Sequence, residues 1–131
     1  MSFLSKFSKA IFAVAVAGAI SASAFSEGED YVKLEKPLSV GQNTRVKIFS
    51  YAFPFCYKYD NSVTPKVVEK IPGLKYEPFH LKTKGDYGEV ASKVFAVLIV
   101  MDEAKGVSLF DENSLFKKAK FAYYKAYHDK K

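Results

Sequence analysis

The stretch that decides the fold is Val46-Lys47-Ile48-Phe49-Ser50-Tyr51-Ala52-Phe53-Pro54-Phe55-Cys56-Tyr57. Val46 to Tyr51 is rich in β-branched and aromatic residues, which marks a central strand. Pro54 suits the first turn of a helix, where its missing N–H costs nothing. A strand therefore runs directly into a helix, and Cys56, the one cysteine of the chain, sits at the junction.

Downstream, Val63, Val67, Val68 and Ile71 recur at spacings of three to four and give the helix one apolar face. Pro65 should kink that helix or restart it, and Pro72-Gly73 should stop it. Leu74 to Leu81 alternates around Pro78 and predicts a strand with an irregularity at the proline. A strand, a helix and a further strand make a βαβ crossover, so the two strands should be parallel neighbours. Asp86 and Glu89 have the spacing of a capping box opening the next helix. Its run Val94 to Met101 is apolar on all sides, as in a helix surrounded by protein, and Gly106 is a natural stop. A last helix should begin near Ser108 or Asn113, with Leu115, Ala119, Tyr123 and Tyr127 on one face. Lys117, Lys118, Lys120 and Lys125 would fill its solvated remainder.

Upstream, Tyr31-Val32-Lys33-Leu34 alternates like a short edge strand before Pro37, and Gly41 to Thr44 reads as a turn. Residues 1–24 read as a cleaved export signal. Lys6 and Lys9 make the basic start, Ala10 to Ile20 the uncharged run, and Ala22-Ser23-Ala24 the cleavage pattern. That run is too short for a membrane span of about 20 residues. In a bacterium with two membranes the destination is the periplasm, which makes nucleic acid an unsuitable partner for this basic chain of net charge +6.

Composition bounds the chemistry. The chain has 131 residues, 49% hydrophobic and 16% aromatic, which suits one globular domain and excludes a disordered or fibrous chain. One cysteine excludes a disulfide framework and any zinc site with two cysteines from one chain. His80 and His128 lie far apart in sequence without a carboxylate cluster, so neither a metal nor a cofactor is expected. In an oxidising compartment a lone thiol suggests pairing with another molecule, a Cys56-linked homodimer included, or a former partner within the chain.

Taken together, Tyr31 to Pro37, the strand Val46 to Tyr51 and the run Phe53-Pro54-Phe55-Cys56-Tyr57-Lys58-Tyr59 resemble the DsbA family of thiol:disulfide oxidoreductases. Pro54-Phe55 is more similar to its DsbL branch than to the common Cys-Pro-His-Cys form. The resemblance implies an α/β thioredoxin-like fold. Residues 25–83 would be its N-terminal β-β-α-β part and 84–131 the start of a helical insertion.

In such a site the first cysteine, at the helix N-terminus, is the nucleophile, and the second, one turn inside, releases the substrate. By the resemblance Cys56 holds the second position, and Phe53 stands at the first. The implied activity is disulfide formation in unfolded or reduced exported proteins, with a membrane partner reoxidising active relatives.

This chain departs from the pattern. Phe53 carries no thiol, and Lys47 stands where many members have a buried acid six positions before the nucleophile. Pro37, Pro54, Pro65, Pro72 and Pro78 all come too early for the family's cis-proline loop, so the C-terminal ββα part is expected to be missing. The expectation is a truncated, redox-impaired member. The alternatives are a non-catalytic binder, or holdase, of unfolded chains, and a non-functional gene fragment.

Overall fold

In a computed structural model the described residues are 25–130; the expected export signal lies outside them. The described residues divide into two units between Ser39 and Val40. Within the first, Glu27 and Tyr31 form one isolated parallel bridge, and Lys33 pairs with Glu27 at 3.1 Å. The edge strand expected at Tyr31 to Leu34 does not form. Val32 and Leu34 are exposed and have no ladder partner among the described residues, so alternation alone had nothing to pair with.

The second unit runs β1 (Thr44–Phe49), α1 (Pro54–Ser62), α2 (Thr64–Lys70), β2 (Lys75–His80), α3 (Gly88–Ala104) and α4 (Leu115–His128). β1 and β2 are parallel neighbours, in register from Thr44 opposite Lys75 to Phe49 opposite His80. The break between α1 and α2 falls at Val63, and Pro65 opens the second piece, as expected of a proline that cannot continue the hydrogen-bond ladder.

Pro78 does not disturb β2, contrary to expectation. The Lys75 amide donates to the Asn43 carbonyl just before β1 at 2.8 Å, and the Leu81 amide to the Phe49 carbonyl that ends it at 2.9 Å. Residues of the opposite parity, Pro78 among them, turn their N positions away from β1, so the missing donor costs no ladder bond.

Three helical expectations are also corrected. The Asp86–Glu89 capping box does not form: α3 starts at Gly88 without a side-chain cap. Instead the Tyr87 amide donates to the Tyr51 hydroxyl at 2.8 Å, and Glu89 pairs with Lys93 one turn on. The apolar run of α3 is not enclosed on all sides. Ala91 and Phe95 are buried, but Val97 and Val100 are 58% and 62% exposed, because β2 and α4 pack on one side of the helix. In α4 the buried stripe is Phe116, Lys120 and Tyr124, one residue on from the expected face, and Lys120 is only 4% exposed. Gly106 does end α3, in a left-handed conformation with φ of 65°.

The core is Phe49, Tyr51, Ala91, Phe95, Phe116 and Tyr124, with Cys56 and Tyr57 packed against it. Edge-to-face contacts dominate it, such as Phe95 on Phe116 at 5.7 Å and 88°. Among the described residues no helix is long and apolar enough to cross a membrane.

Candidate functional site

The site is the turn from β1 into α1. Phe49 and Ser50 are buried at the end of the strand, and the Ser50 hydroxyl accepts from the Ala52 amide at 3.2 Å. The Phe53 amide donates to the Ser50 carbonyl at 3.1 Å, which closes the turn. Phe53 is the N-cap, in an extended conformation, and offers no side-chain cap because phenylalanine has no acceptor. Pro54 then occupies the first helical position, as expected. Cys56, in the first turn, is a half-buried free thiol. Phe53 is half-buried beside it, whereas Phe55 is 69% exposed.

One helical turn beyond Cys56, Asp60, which the sequence reading did not single out, lies buried among polar partners. Lys47 from β1 donates to Asp60 and, at 2.9 Å, to Thr64. Lys120 from α4 reaches Asp60 Oδ2 at 3.0 Å, and the Tyr124 hydroxyl donates to the same oxygen at 2.8 Å. Burial alone would raise the Asp60 carboxyl. The ammonium groups of Lys120 and Lys47 and the Tyr124 hydroxyl outweigh that and hold it below the ordinary carboxylate range. The methylene stem and head of Lys120 lie among aromatic rings, with Nζ 5.1 Å from the Phe116 centroid. The Tyr76 hydroxyl is buried without a partner among the described residues, and burial pushes its ionisation far up.

A signal for this cluster was present. Asp60 is four residues after Cys56 on the same helix face, and Lys120 is four from both Phe116 and Tyr124. What identifies it as a site is the meeting of three elements, which local periodicity does not show.

The two histidines serve the backbone of the turn. His80 Nε2 accepts from the Tyr51 amide at 3.3 Å, while its Nδ1 meets Ser92 Oγ at 2.8 Å. His128 Nε2 donates to the Tyr51 carbonyl at 2.8 Å. Both rings converge on the backbone of Tyr51, two residues before Phe53, one at its amide and the other at its carbonyl. Among the described residues no group of three or more His, Cys, Asp or Glu is placed to hold a metal ion.

Chemically, the turn presents one thiol. Such a thiol can attack an external disulfide, forming a mixed disulfide and releasing the other half as a thiolate. It cannot close a disulfide within the turn, since Cys56 is the one cysteine of the sequence.

No family model matches the chain. It is 59% identical over 128 residues to the thiol:disulfide interchange protein DsbL of Escherichia coli O6:H1, covering 97% of this chain and 58% of that protein. It is 28% identical over 107 residues to the thiol:disulfide interchange protein DsbA of Salmonella typhimurium, covering 78% and 51% of the two chains. The crystal structure of Salmonella enterica serovar Typhimurium DsbL matches with a TM-score of 0.78 at 62% identity, over 83% of this chain and 55% of that one. The chain thus spans a little over half the length of the curated relatives it matches. Its mixed α/β architecture is thioredoxin-like, as expected.

Proposed function

The chain belongs to the DsbA/DsbL family of thiol:disulfide interchange proteins, and from that membership we propose that it is a redox-impaired member with one exchange-competent thiol. The observation that carries the reading is the turn itself. Cys56 is in the first turn of α1, and Phe53 is the N-cap in front of it. By family resemblance these are the resolving and nucleophile positions, with Pro54-Phe55 between them.

Interchange in a complete pair cycles between dithiol and disulfide, and one sulfur cannot do so. The remaining chemistry is a single exchange: the Cys56 thiolate attacks the disulfide of an oxidised small thiol, keeps one half as a mixed disulfide and releases the other as a thiolate. The Cys56 thiolate of a second copy can displace the bound half to give a linked dimer. Substrates would be reduced or unfolded exported proteins, met in the periplasm after removal of residues 1–24. Active relatives would be reoxidised by a membrane partner that this chain has no disulfide to engage.

The test is a disulfide-transfer assay on a reduced, unfolded substrate. Given one equivalent of an oxidised small thiol, the unmodified chain should take up one mixed disulfide per molecule and show no multiple turnover. Multiple turnover, or a Cys56 inert to an oxidised small thiol, would overturn the reading. Phe53→Cys supplies the second sulfur and should allow the turn to close a disulfide.

A second reading, a non-catalytic binder of unfolded chains, is favoured by Phe55, 69% exposed beside the turn. Suppression of aggregation by the unmodified chain, lost in Phe55→Ser with Cys56 intact, would select it.

A further inference from the structure

We propose that His80 is a pH-sensitive latch on the turn Ser50–Phe53, closed when the imidazole is neutral and released when it is protonated. The inference stands on the geometry of the turn and does not depend on the redox reading.

The hydrogen bonds fix one protonation state. A backbone amide can only donate, so His80 Nε2, 3.3 Å from the Tyr51 N, must carry a lone pair. The proton of a neutral ring then sits on Nδ1, which donates to Ser92 Oγ at 2.8 Å. The Ser92 hydroxyl passes its own proton on to the His80 carbonyl at 3.3 Å, completing the circuit. Every polar group is used once, and none is left to accept a proton on Nε2.

The surroundings disfavour the cation as well. The ring is 7% exposed, stacked on Tyr51 at 5.6 Å and 4°, with Phe49 and Phe95 edge-on at 5.1 Å each. Burial pushes the imidazole below its ordinary value. Each packed element contributes little charge. β1 and the turn after it present Phe49 and the Tyr51 phenol, whereas α3 presents the Ser92 hydroxyl. The segment after β2 brings Lys82, the one charged side chain lining the hollow beside His80, and no carboxylate lines it among the described residues. From α4, His128 approaches the other side of the Tyr51 backbone, where it donates to the carbonyl. Protonating His128 keeps that donor, so His128 does not act as the latch.

Protonation of Nε2 sets two N–H groups against each other and strands the Tyr51 amide in a buried place. Tyr51 is the residue through which the turn is tied elsewhere. Its hydroxyl accepts from the Tyr87 amide at the head of α3, and its carbonyl holds His128 of α4. Release at His80 therefore loosens the motif turn while leaving the two outer ties in place.

The measurement is an NMR titration of the unmodified chain from about pH 8 to about pH 5, where histidine changes charge. The His80 ring should titrate below the ordinary value, and the Tyr51 amide shift should follow the same midpoint. Hydrogen exchange at Tyr51 and Phe53 should quicken about tenfold beyond its intrinsic pH dependence, as for one lost buried hydrogen bond. His80→Gln, which keeps an acceptor without a titrating ring, should abolish the inflection at Tyr51, and His128→Gln should retain it. A Tyr51 amide that ignores the His80 midpoint in the unmodified chain would overturn the proposal, whether or not the variants fold. So would an inflection that survives His80→Gln.

Discussion

The Nζ of Lys120 lies 3.0 Å from Oδ2 of Asp60, with both side chains at most 5% exposed. This pair joins the last helix to the helix that carries Cys56. Lys47 completes it from β1, so one carboxylate is shared by two ammonium groups drawn from two further elements. Desolvating three charges is costly, and only the full set of partners offsets it. The arrangement therefore makes the packing of α4 on α1 specific: a slip of one residue along either helix would leave a buried charge alone.

The sharing predicts an asymmetry between single substitutions. Asp60→Asn leaves two buried ammonium groups without a counter-charge and should destabilise the chain by about 3–5 kcal/mol. Lys120→Met leaves Asp60 with Lys47 and the Tyr124 hydroxyl, puts an apolar chain among Phe49, Phe116 and Phe121, and should cost only about 1–2 kcal/mol. Urea unfolding of the two variants measures both; equal losses would contradict the sharing.

Stability should fall with acidity in two separate windows. The neutral His80 ring is favoured in the folded chain, so the unfolded chain binds more protons once the pH drops below the ordinary value of 6.5. Stability is full above that value and declines as the pH falls from it towards the lower folded value. Asp60 acts further down. Its carboxyl is held below the ordinary 3.8, so its contribution is intact above 3.8 and is lost as the pH falls through the folded value. Unfolding free energies measured against pH should show both declines, with His80→Gln removing the upper one alone.

Local signals in the sequence located the elements well, for a physical reason. Pro65 restarting a helix, Gly106 ending one and Pro54 opening one are effects of single residues on their own backbone. The strand-to-helix junction was legible for the same reason, because Phe53 to Cys56 lie within one turn. What escaped was set by partners distant in the chain. Asp86 has no capping role, and the Tyr51 hydroxyl, 36 positions before Tyr87, meets the Tyr87 amide at the head of the helix instead. Lys120 is buried because its counter-charge sits on α1, and a lysine in a lysine-rich helix carries no mark of that. The edge strand at Tyr31 to Leu34 failed in the opposite way, as a local pattern without a distant partner.

Asp102 should prove a structural carboxylate of comparable weight. Near the end of α3, it accepts from the Ser114 hydroxyl at 2.7 Å and from the amides of Leu115 and Phe116 at 3.0 Å each. It thus caps α4 from outside, while Ser114 caps it from within through Lys117 N. Asp102→Ala should cost about 2–3 kcal/mol, since it leaves buried donors without acceptors. Asp102→Asn keeps an oxygen and should cost less, at about 1–2 kcal/mol. Thermal unfolding of both variants checks the order; the reverse order would deny the capping role.

Gly85 is the position where the turn and α3 leave no room. Its φ of 82° favours glycine, and a Cβ there would collide with the Tyr51 hydroxyl and ring. Gly106 also has a positive φ, of 65°, but nothing lies near its missing Cβ. Gly106→Ala should therefore cost only the left-handed strain of about 1–2 kcal/mol. Gly85→Ala adds displacement of a well-packed ring, and the total should reach about 2–4 kcal/mol. The excess has a local signature, because pushing Tyr51 aside breaks its bond to the Tyr87 amide. Hydrogen exchange at Tyr87 should then quicken in Gly85→Ala and stay unchanged in Gly106→Ala. Equal losses in the two variants, with Tyr87 protected in both, would mean that Tyr51 does not tie the turn to α3.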